Sequence, residues 1–380
     1  MNRPSSSYDV IVIGVGGMGS ATAWHLARRG CRVLGLEQFN IPHDLGSSHG
    51  QTRIIRLAYS EHPSYVPLLR RAYALWREIE ERAGERLLHI TGALDAGPAD
   101  DWVFRGSKAS CEEHGLAHEI LTGTEVNRRF PGYRLPDDLM AVFQTDGGYL
   151  LPERCIVAHV ETAQEHGAEI HACEPVLGWT SNGRGVTVET SKSTYTADRL
   201  VITAGGWIGK VVKKLDRIVQ PERQVLGWFQ PRRLDLFLPD RFPVFNLQVA
   251  EGRYYGLPVH GVPGFKIGKY HHLEERVDMD GLDRSTHPRD EAVLREFAER
   301  YFPDGSGPTM SLQVCAFTNT GDGHFILDAH PEHANVYVAS PCSGHGFKFC
   351  SVIGEIMADL ATTGETPHDI ALHGLARLSS

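Results

Sequence analysis

The chain has 380 residues, enough for two domains or one large composite domain with a sizeable core. Its 41% hydrophobic and 22% charged content is that of an ordinary folded protein, and 38 basic against 47 acidic residues, a net charge of −9, disfavour a broad nucleic-acid or anionic-membrane surface. The apolar run Val10–Ile13 is too short for a signal peptide, and no run approaches the length of a membrane span, so the expected compartment is the cytoplasm.

In chain order, Tyr8–Gly14 reads as a short, fully buried strand. A glycine turn follows, then a helix over Met18–Arg29 with Ala21, Ala23, Leu26 and Ala27 on its apolar side. Gly30 stops it, and Cys31–Glu37 is a second buried strand, completing a βαβ start. A long amphipathic helix spans Ser64–Arg82, where Tyr65, Leu68, Leu69, Ala72, Leu75, Trp76 and Ile79 recur at helical spacing.

Further on, Cys155–His166 is helical, Val186–Thr190 and Tyr195 suggest a hairpin, and Arg199–Thr203 is another apolar strand. From about Val219 to Thr320 the sequence is strand-rich, with turns at Tyr254–Pro258 and Val262-Pro263-Gly264 and one charged helix near Asp290–Arg300. The last segment repeats the strand–turn–helix pattern of the first, with strand Val336–Ala339, a glycine turn at Ser343–Gly346 and helix Phe347–Leu360. The seven cysteines form no CxxC pair and no zinc-type cluster, so reduced thiols and no metal site are expected.

The turn Gly14-Val15-Gly16-Gly17-Met18-Gly19 carries the first chemistry. A lone GxGxxG is weak, but here a buried strand precedes it, a small-residue helix follows, and Glu37 closes the second strand at the expected distance. Gly14 permits the tight turn, Gly16 lets the backbone approach a diphosphate, and Gly19 lets helix and strand pack closely. The helix N-terminus offers unpaired N–H groups to the phosphates, and Glu37 can accept the hydroxyls of an adenosine ribose. Two further elements, Leu200–Trp207 and Asn335–Gly346, favour FAD over a nicotinamide cofactor. The second places a helix N-terminus where it can stabilise negative charge on a reduced ring.

Several segments together resemble the monomeric sarcosine oxidase and N-methyltryptophan oxidase family of FAD-dependent amine oxidases, nearly end to end and in the same order. They are Gly14–Gly19, Gly46–Arg56, Tyr255-Gly256-Leu257-Pro258, Phe265-Lys266-Ile267-Gly268, Cys315 with Thr318–Phe325, and Ser343–Phe349. The resemblance implies an α/β fold, with a Rossmann-like FAD-binding domain assembled from residues 1–90, 150–218 and 322–380. An α+β substrate domain built on an antiparallel sheet would come from residues 91–149 and 219–321.

The same resemblance implies site roles. Arg56 and Lys348 match a substrate-carboxylate pair, and Lys348 also a cofactor contact; arginine's fork suits a carboxylate. Lys266 matches the lysine that promotes reaction with dioxygen, and Arg53, beside Thr52, matches an arginine near the flavin ring. Ser47, Ser48, Gly344 and Gly346 fall in the cofactor-binding segments. Tyr255 and a histidine after Gly268 match pocket residues; Lys269 and Tyr270 intervene, and His271 is favoured over His272. Cys315 matches a cysteine that tethers the flavin covalently.

The implied reaction oxidises the C–N bond of an N-methyl, N-alkyl or cyclic amino acid to an imine and reduces dioxygen to hydrogen peroxide, in a monomeric enzyme. The competing readings are a dehydrogenase of the same fold that passes electrons to a quinone or partner protein, and a non-catalytic flavin-binding protein. The second has no need of the Arg56–Lys348 pair.

Overall fold

The computed structural model describes residues 7–261, 264–340 and 342–378. Two large sheets organise these residues. The first contains the opening strand Ser7–Ile13, whose continuous Val/Ile run is buried on both faces, as parallel strands covered by helices require. It pairs in parallel with Val33–Leu36 on one side and Thr194–Ile202 on the other. Glu169–His171 extends one edge, and Val176–Ser181, Val186–Thr190 and the hairpin Ile326–His330/His333–Ser340 complete the sheet.

The apolar strand expected at Arg199–Thr203 is the end of the nine-residue strand Thr194–Ile202. That strand pairs antiparallel with Val186–Thr190 near its start, and in parallel with His333–Ser340 near its end. A single strand thus joins the hairpin to the nucleotide-type core.

The helix Gly17–Ala27 is built from small residues because it is buried nearly all round, packed on Pro152–Glu165 and Cys350–Thr363. A Cβ on Gly354 would lie 2.6 Å from that of Ala21, so the two helices meet through glycine. Tyr65–Ala83 buries the expected stripe and ends at Gly84 in the left-handed conformation.

The second large sheet runs, edge to edge, Thr309–Asn319, Gln220–Phe229, Phe265–Lys269, Gly252–Leu257, Val244–Val249, Ala93–Pro98, Leu139–Gln144 and Glu119–Thr122. It is antiparallel except where Val244–Val249 runs parallel to Ala93–Pro98. Alternation divides its faces. Leu94, Phe245, Leu247, Tyr254, Val225 and Ile267 form an apolar core with Leu294, Phe297 and Ala298 of the helix Pro288–Tyr301. Asp95, Asn246, Tyr255, Lys266 and Cys315 lie on the opposite face. A small third sheet, Arg53–Ile55, Gly148–Leu150 and Leu88–Ile90, is drawn from chain segments that precede and follow the strand Ala93–Pro98.

Helices Trp102–His114 and Gly123–Arg129 carry sequence signals that hydrophobic spacing alone does not use. Asp101 caps the first by accepting from Val103 N, and Thr122 and Glu125 form a capping box on the second. Of the turn expected at Val262-Pro263-Gly264, the first two residues lie outside the described residues. Among the described residues no helix is long and apolar enough to cross a membrane.

Candidate active site

One cavity of about 870 Å³ reaches from the glycine turn to the polar face of the second sheet. At one end Gly14 has φ +88°, and a Cβ there would sit 2.7 Å from Thr203 O; a Cβ on Gly19 would lie 1.8 Å from Gly14 O. Both glycines are required by protein atoms. Gly16 is different: the nearest atom to a Cβ there would be Ser48 Oγ, at 4.0 Å. The space above Gly16 is cavity, so a ligand and not the fold explains this glycine. Gly16 also leaves the helix N-terminus without a side-chain cap or an acidic first turn, open to a diphosphate.

Glu37 is buried at the end of its strand and accepts from Val15 N at 2.9 Å and Phe39 N at 3.1 Å. Burial raises its pKa, while those backbone donors pull the other way. It lines the cavity as well as fixing the turn. The described residues therefore fit a dinucleotide.

Ser47, Ser48, Thr52, Arg53, Cys315, Gly344, Gly346 and Lys348 line the same cavity. Arg53 donates to Thr52 O at 3.0 Å and to Ser47 O at 2.9 Å, and its Nη2 stands 3.6 Å from Cys315 Sγ. Burial alone would raise the Cys315 thiol, but His49 and the Arg53 guanidinium outweigh it and bring the group down to about 6. Gly344 has φ +78°, and a Cβ there would meet the Phe317 ring at 2.6 Å.

Lys266 is 1% exposed and does not line the cavity. Its Nζ donates to Gly50 O at 2.8 Å and Thr52 O at 2.7 Å, behind the loop that carries Arg53. Burial, then Arg53, pushes its pKa well below the ordinary lysine value. Lys348 is buried against the turn Ser343–Gly346 and donates to His345 O at 2.7 Å. Burial and Arg56 lower it to about 7.

Arg56, far from being a solvated basic residue, is 2% exposed. Its Nε lies 2.9 Å from Asp95, and its Nη2 3.3 Å from Glu61. The paired carboxylates raise its pKa despite burial. Its Nη1 makes no hydrogen bond among the described residues, and Arg56 faces the cavity. The Arg56 guanidinium and Lys348 Nζ both lie over the Tyr59 ring, at 4.9 and 5.4 Å.

His271 does not reach the cavity. It follows its strand with φ +54°, and its half-exposed ring pairs with Glu222 at 3.0 Å over a separate outer depression. His272 is buried elsewhere, against Asp290 at 3.3 Å. Tyr270 faces the cavity instead, its ring 5.2 Å from that of Tyr255. Strand alternation explains the correction: Lys266 and Gly268 share the functional face, so Tyr270 shares it and His271 does not. Two-residue spacing from Lys266 is the signal in the sequence that points to Tyr270.

Asn246, Asp95, Glu61 and Arg253 have no motif of their own and emerge only from the fold. Asn246 pairs in register with both Asp95 and Tyr255, which brings these three side chains together on one face.

The family model described as FAD dependent oxidoreductase matches residues 9–360. Monomeric sarcosine oxidase of Bacillus sp. (strain NS-129) is 41% identical over 378 residues, covering 98% of this chain and 97% of that protein. N-methyl-L-tryptophan oxidase of Yersinia pestis (strain Pestoides F) is 34% identical over 376 residues, covering 97% and 99%. The solved structure of NikD, described as an unusual amino acid oxidase essential for nikkomycin biosynthesis, matches with a TM-score of 0.85 at 26% identity, covering 97% and 98%.

Proposed function

Since the chain belongs to the monomeric sarcosine oxidase and N-methyltryptophan oxidase family of FAD-dependent oxidoreductases, we propose that it oxidises a secondary amino acid at the C–N bond. The substrate loses two hydrogens to become an imine, which water hydrolyses, and dioxygen takes up the two electrons and two protons as hydrogen peroxide. Bound FAD supplies the two-electron chemistry that joins these halves.

The observation that carries the reading is Lys348: a buried lysine amine whose hydrogen-bond partner is a backbone carbonyl, opening on the same cavity as the glycine turn and Cys315. A substrate carboxylate completes it, and Arg56 Nη1 offers a second donor. These cations also lower the pKa of a neighbouring substrate amine, favouring the uncharged form that reacts. Arg53 and Thr52 orient the reacting end. Lys266, held by Gly50 and Thr52, acts on oxygen reduction from behind that loop.

In this reading Cys315 would hold the cofactor through a thioether to a ring methyl carbon, the thiol proton and one methyl hydrogen leaving with two electrons that the bound flavin accepts and passes to dioxygen; its lowered pKa supports a nucleophilic thiolate at neutral pH. The protein works as a cytoplasmic monomer, with residues 1–90, 150–218 and 322–380 as the FAD-binding domain and residues 91–149 and 219–321 as the substrate domain; Arg56 and Lys348 of the first reach the substrate, and Cys315 of the second reaches the cofactor. The test is anaerobic addition of sarcosine, N-alkyl and cyclic amino acids to flavin-loaded protein. Bleaching of the flavin, then peroxide on admitting oxygen, is expected; no bleaching with any of them overturns the reading.

A further inference from the structure

Beside the carboxylate-binding cations, five buried or nearly buried side chains close into a ring. Arg56 Nε contacts Asp95 at 2.9 Å, and Asn246 Nδ2 donates to Asp95 Oδ1 at 2.8 Å. Arg253 Nε donates to Asn246 Oδ1 at 2.8 Å, Arg253 Nη2 to Glu61 at 2.8 Å, and Glu61 returns to Arg56 at 3.3 Å. Two guanidiniums balance two carboxylates, and Asn246 is the neutral member. Asn246 faces the cavity, with one Nδ2 hydrogen not used by the ring. Next to it stand Tyr255, its partner across the strands, and Tyr270, whose ring lies under the Arg253 guanidinium at 4.0 Å. Neither phenol hydroxyl has a hydrogen-bond partner among the described residues.

This wall discriminates among substituents. An apolar group pressed against it strips water from the Asn246 amide and two phenols and returns no hydrogen bond. With Arg56 Nη1 and Lys348 taken up by the substrate carboxylate, a second charged group meets a ring whose charges already cancel, and must break one of its pairs to find a counter-ion. A neutral donor–acceptor group satisfies the open amide hydrogen and the hydroxyls without disturbing either pair. Resting on the oxidase reading above, we propose that the preferred substrate is a secondary amino acid whose nitrogen or α-carbon substituent carries a neutral hydrogen-bonding group, a hydroxyl or a carboxamide, recognised by Asn246 and Tyr270.

The test compares kcat/KM, by peroxide release, within two size-matched pairs: N-(2-hydroxyethyl)glycine against N-propylglycine, and N-methylhomoserine against N-methylnorvaline. The two pairs separate a substituent on nitrogen from one on the α carbon. A preference of about tenfold or more for the hydroxylated member of at least one pair is expected, as one or two hydrogen bonds provide. Tyr270→Phe, which removes one hydroxyl and leaves the ring of charges intact, is expected to shrink that preference several-fold. Asn246→Leu is expected to abolish or reverse it, provided circular dichroism matches the parent.

Turnover of both pairs with no preference for the hydroxylated member overturns the specificity and leaves the oxidase reading standing. A preference unchanged in Tyr270→Phe and in folded Asn246→Leu overturns the assignment to these residues. Failure of all four compounds, sarcosine and a cyclic amino acid to bleach the flavin overturns both.

Discussion

Arg56 and Asp95 form a buried ion pair, their side chains 3% and 1% exposed with Nε 2.9 Å from Oδ1. The arginine that the family pattern assigns to substrate is thus already held by the protein. Removing one partner of such a pair is costly because the other charge stays buried. Asp95→Ala is expected to lower stability by on the order of 3 kcal/mol, with Glu61 limiting the loss, as read by denaturant unfolding. Asp95→Asn keeps an acceptor and removes the charge; it is expected to fold and to lower KM for carboxylate substrates several-fold, since Arg56 is less tightly claimed. An unchanged or raised KM would show that Arg56 takes no part in substrate binding.

Lys348 makes a pH-dependent contribution. Its pKa falls from 10.5 in the unfolded chain to about 7 in the fold. Between those values the unfolded state binds the extra proton, so this residue's cost is full below about pH 7 and fades as pH rises toward 10.5. Lys348→Met is therefore expected to gain most stability over the parent near pH 6 to 7 and progressively less at pH 8 to 10. Thermal unfolding across that range checks the sign.

The same titration governs binding. Above about pH 7 the free enzyme loses the Lys348 charge, so under the proposed role of Lys348 its hold on a substrate carboxylate is expected to weaken with rising pH. Lys348→Met is expected to raise KM by roughly 10- to 150-fold, the scale of one charge-assisted hydrogen bond. Steady-state kinetics from pH 6 to 9 should show the gap between parent and variant narrowing as pH rises.

Gly16 and Gly19 separate ligand binding from folding. Gly16→Ala meets no protein atom nearer than 4.0 Å, so the flavin-free protein is expected to keep its stability and lose flavin loading. Gly19→Ala collides with Gly14 O and is expected to lose soluble, folded protein. Absorbance near 450 nm against far-ultraviolet dichroism distinguishes them; full flavin content in folded Gly16→Ala would remove the diphosphate from this turn.

Cys315→Ala is expected to bind flavin that acid precipitation releases into the supernatant, whereas the parent pellet stays yellow. If the variant pellet also stays yellow, the tether is at another residue.

Much of the site is encoded locally. The glycine turn, the run Gly46–Arg56 and the segment Ser343–Phe349 are contiguous, and their backbones dictate where their side chains go. The histidine after Gly268 is a different case: a one-residue shift at a strand end moves a side chain to the other face, and the local spacing admits two registers. Helices Trp102–His114 and Gly123–Arg129 bury few large apolar residues, and their clearest local signals are their caps, Asp101 and the Thr122–Glu125 box.

The sequence by itself determined the dinucleotide turn, the helix that follows it and the residue types the chemistry needs, because each depends on neighbours a few positions away. Only the tertiary structure decided which charges meet. Glu61, Asp95, Asn246 and Arg253 come together with Arg56 through a parallel strand pair, an antiparallel hairpin and a loop. Such contacts are set by sheet register, a long-range property, and burial then turns them from scattered polar residues into a closed ring.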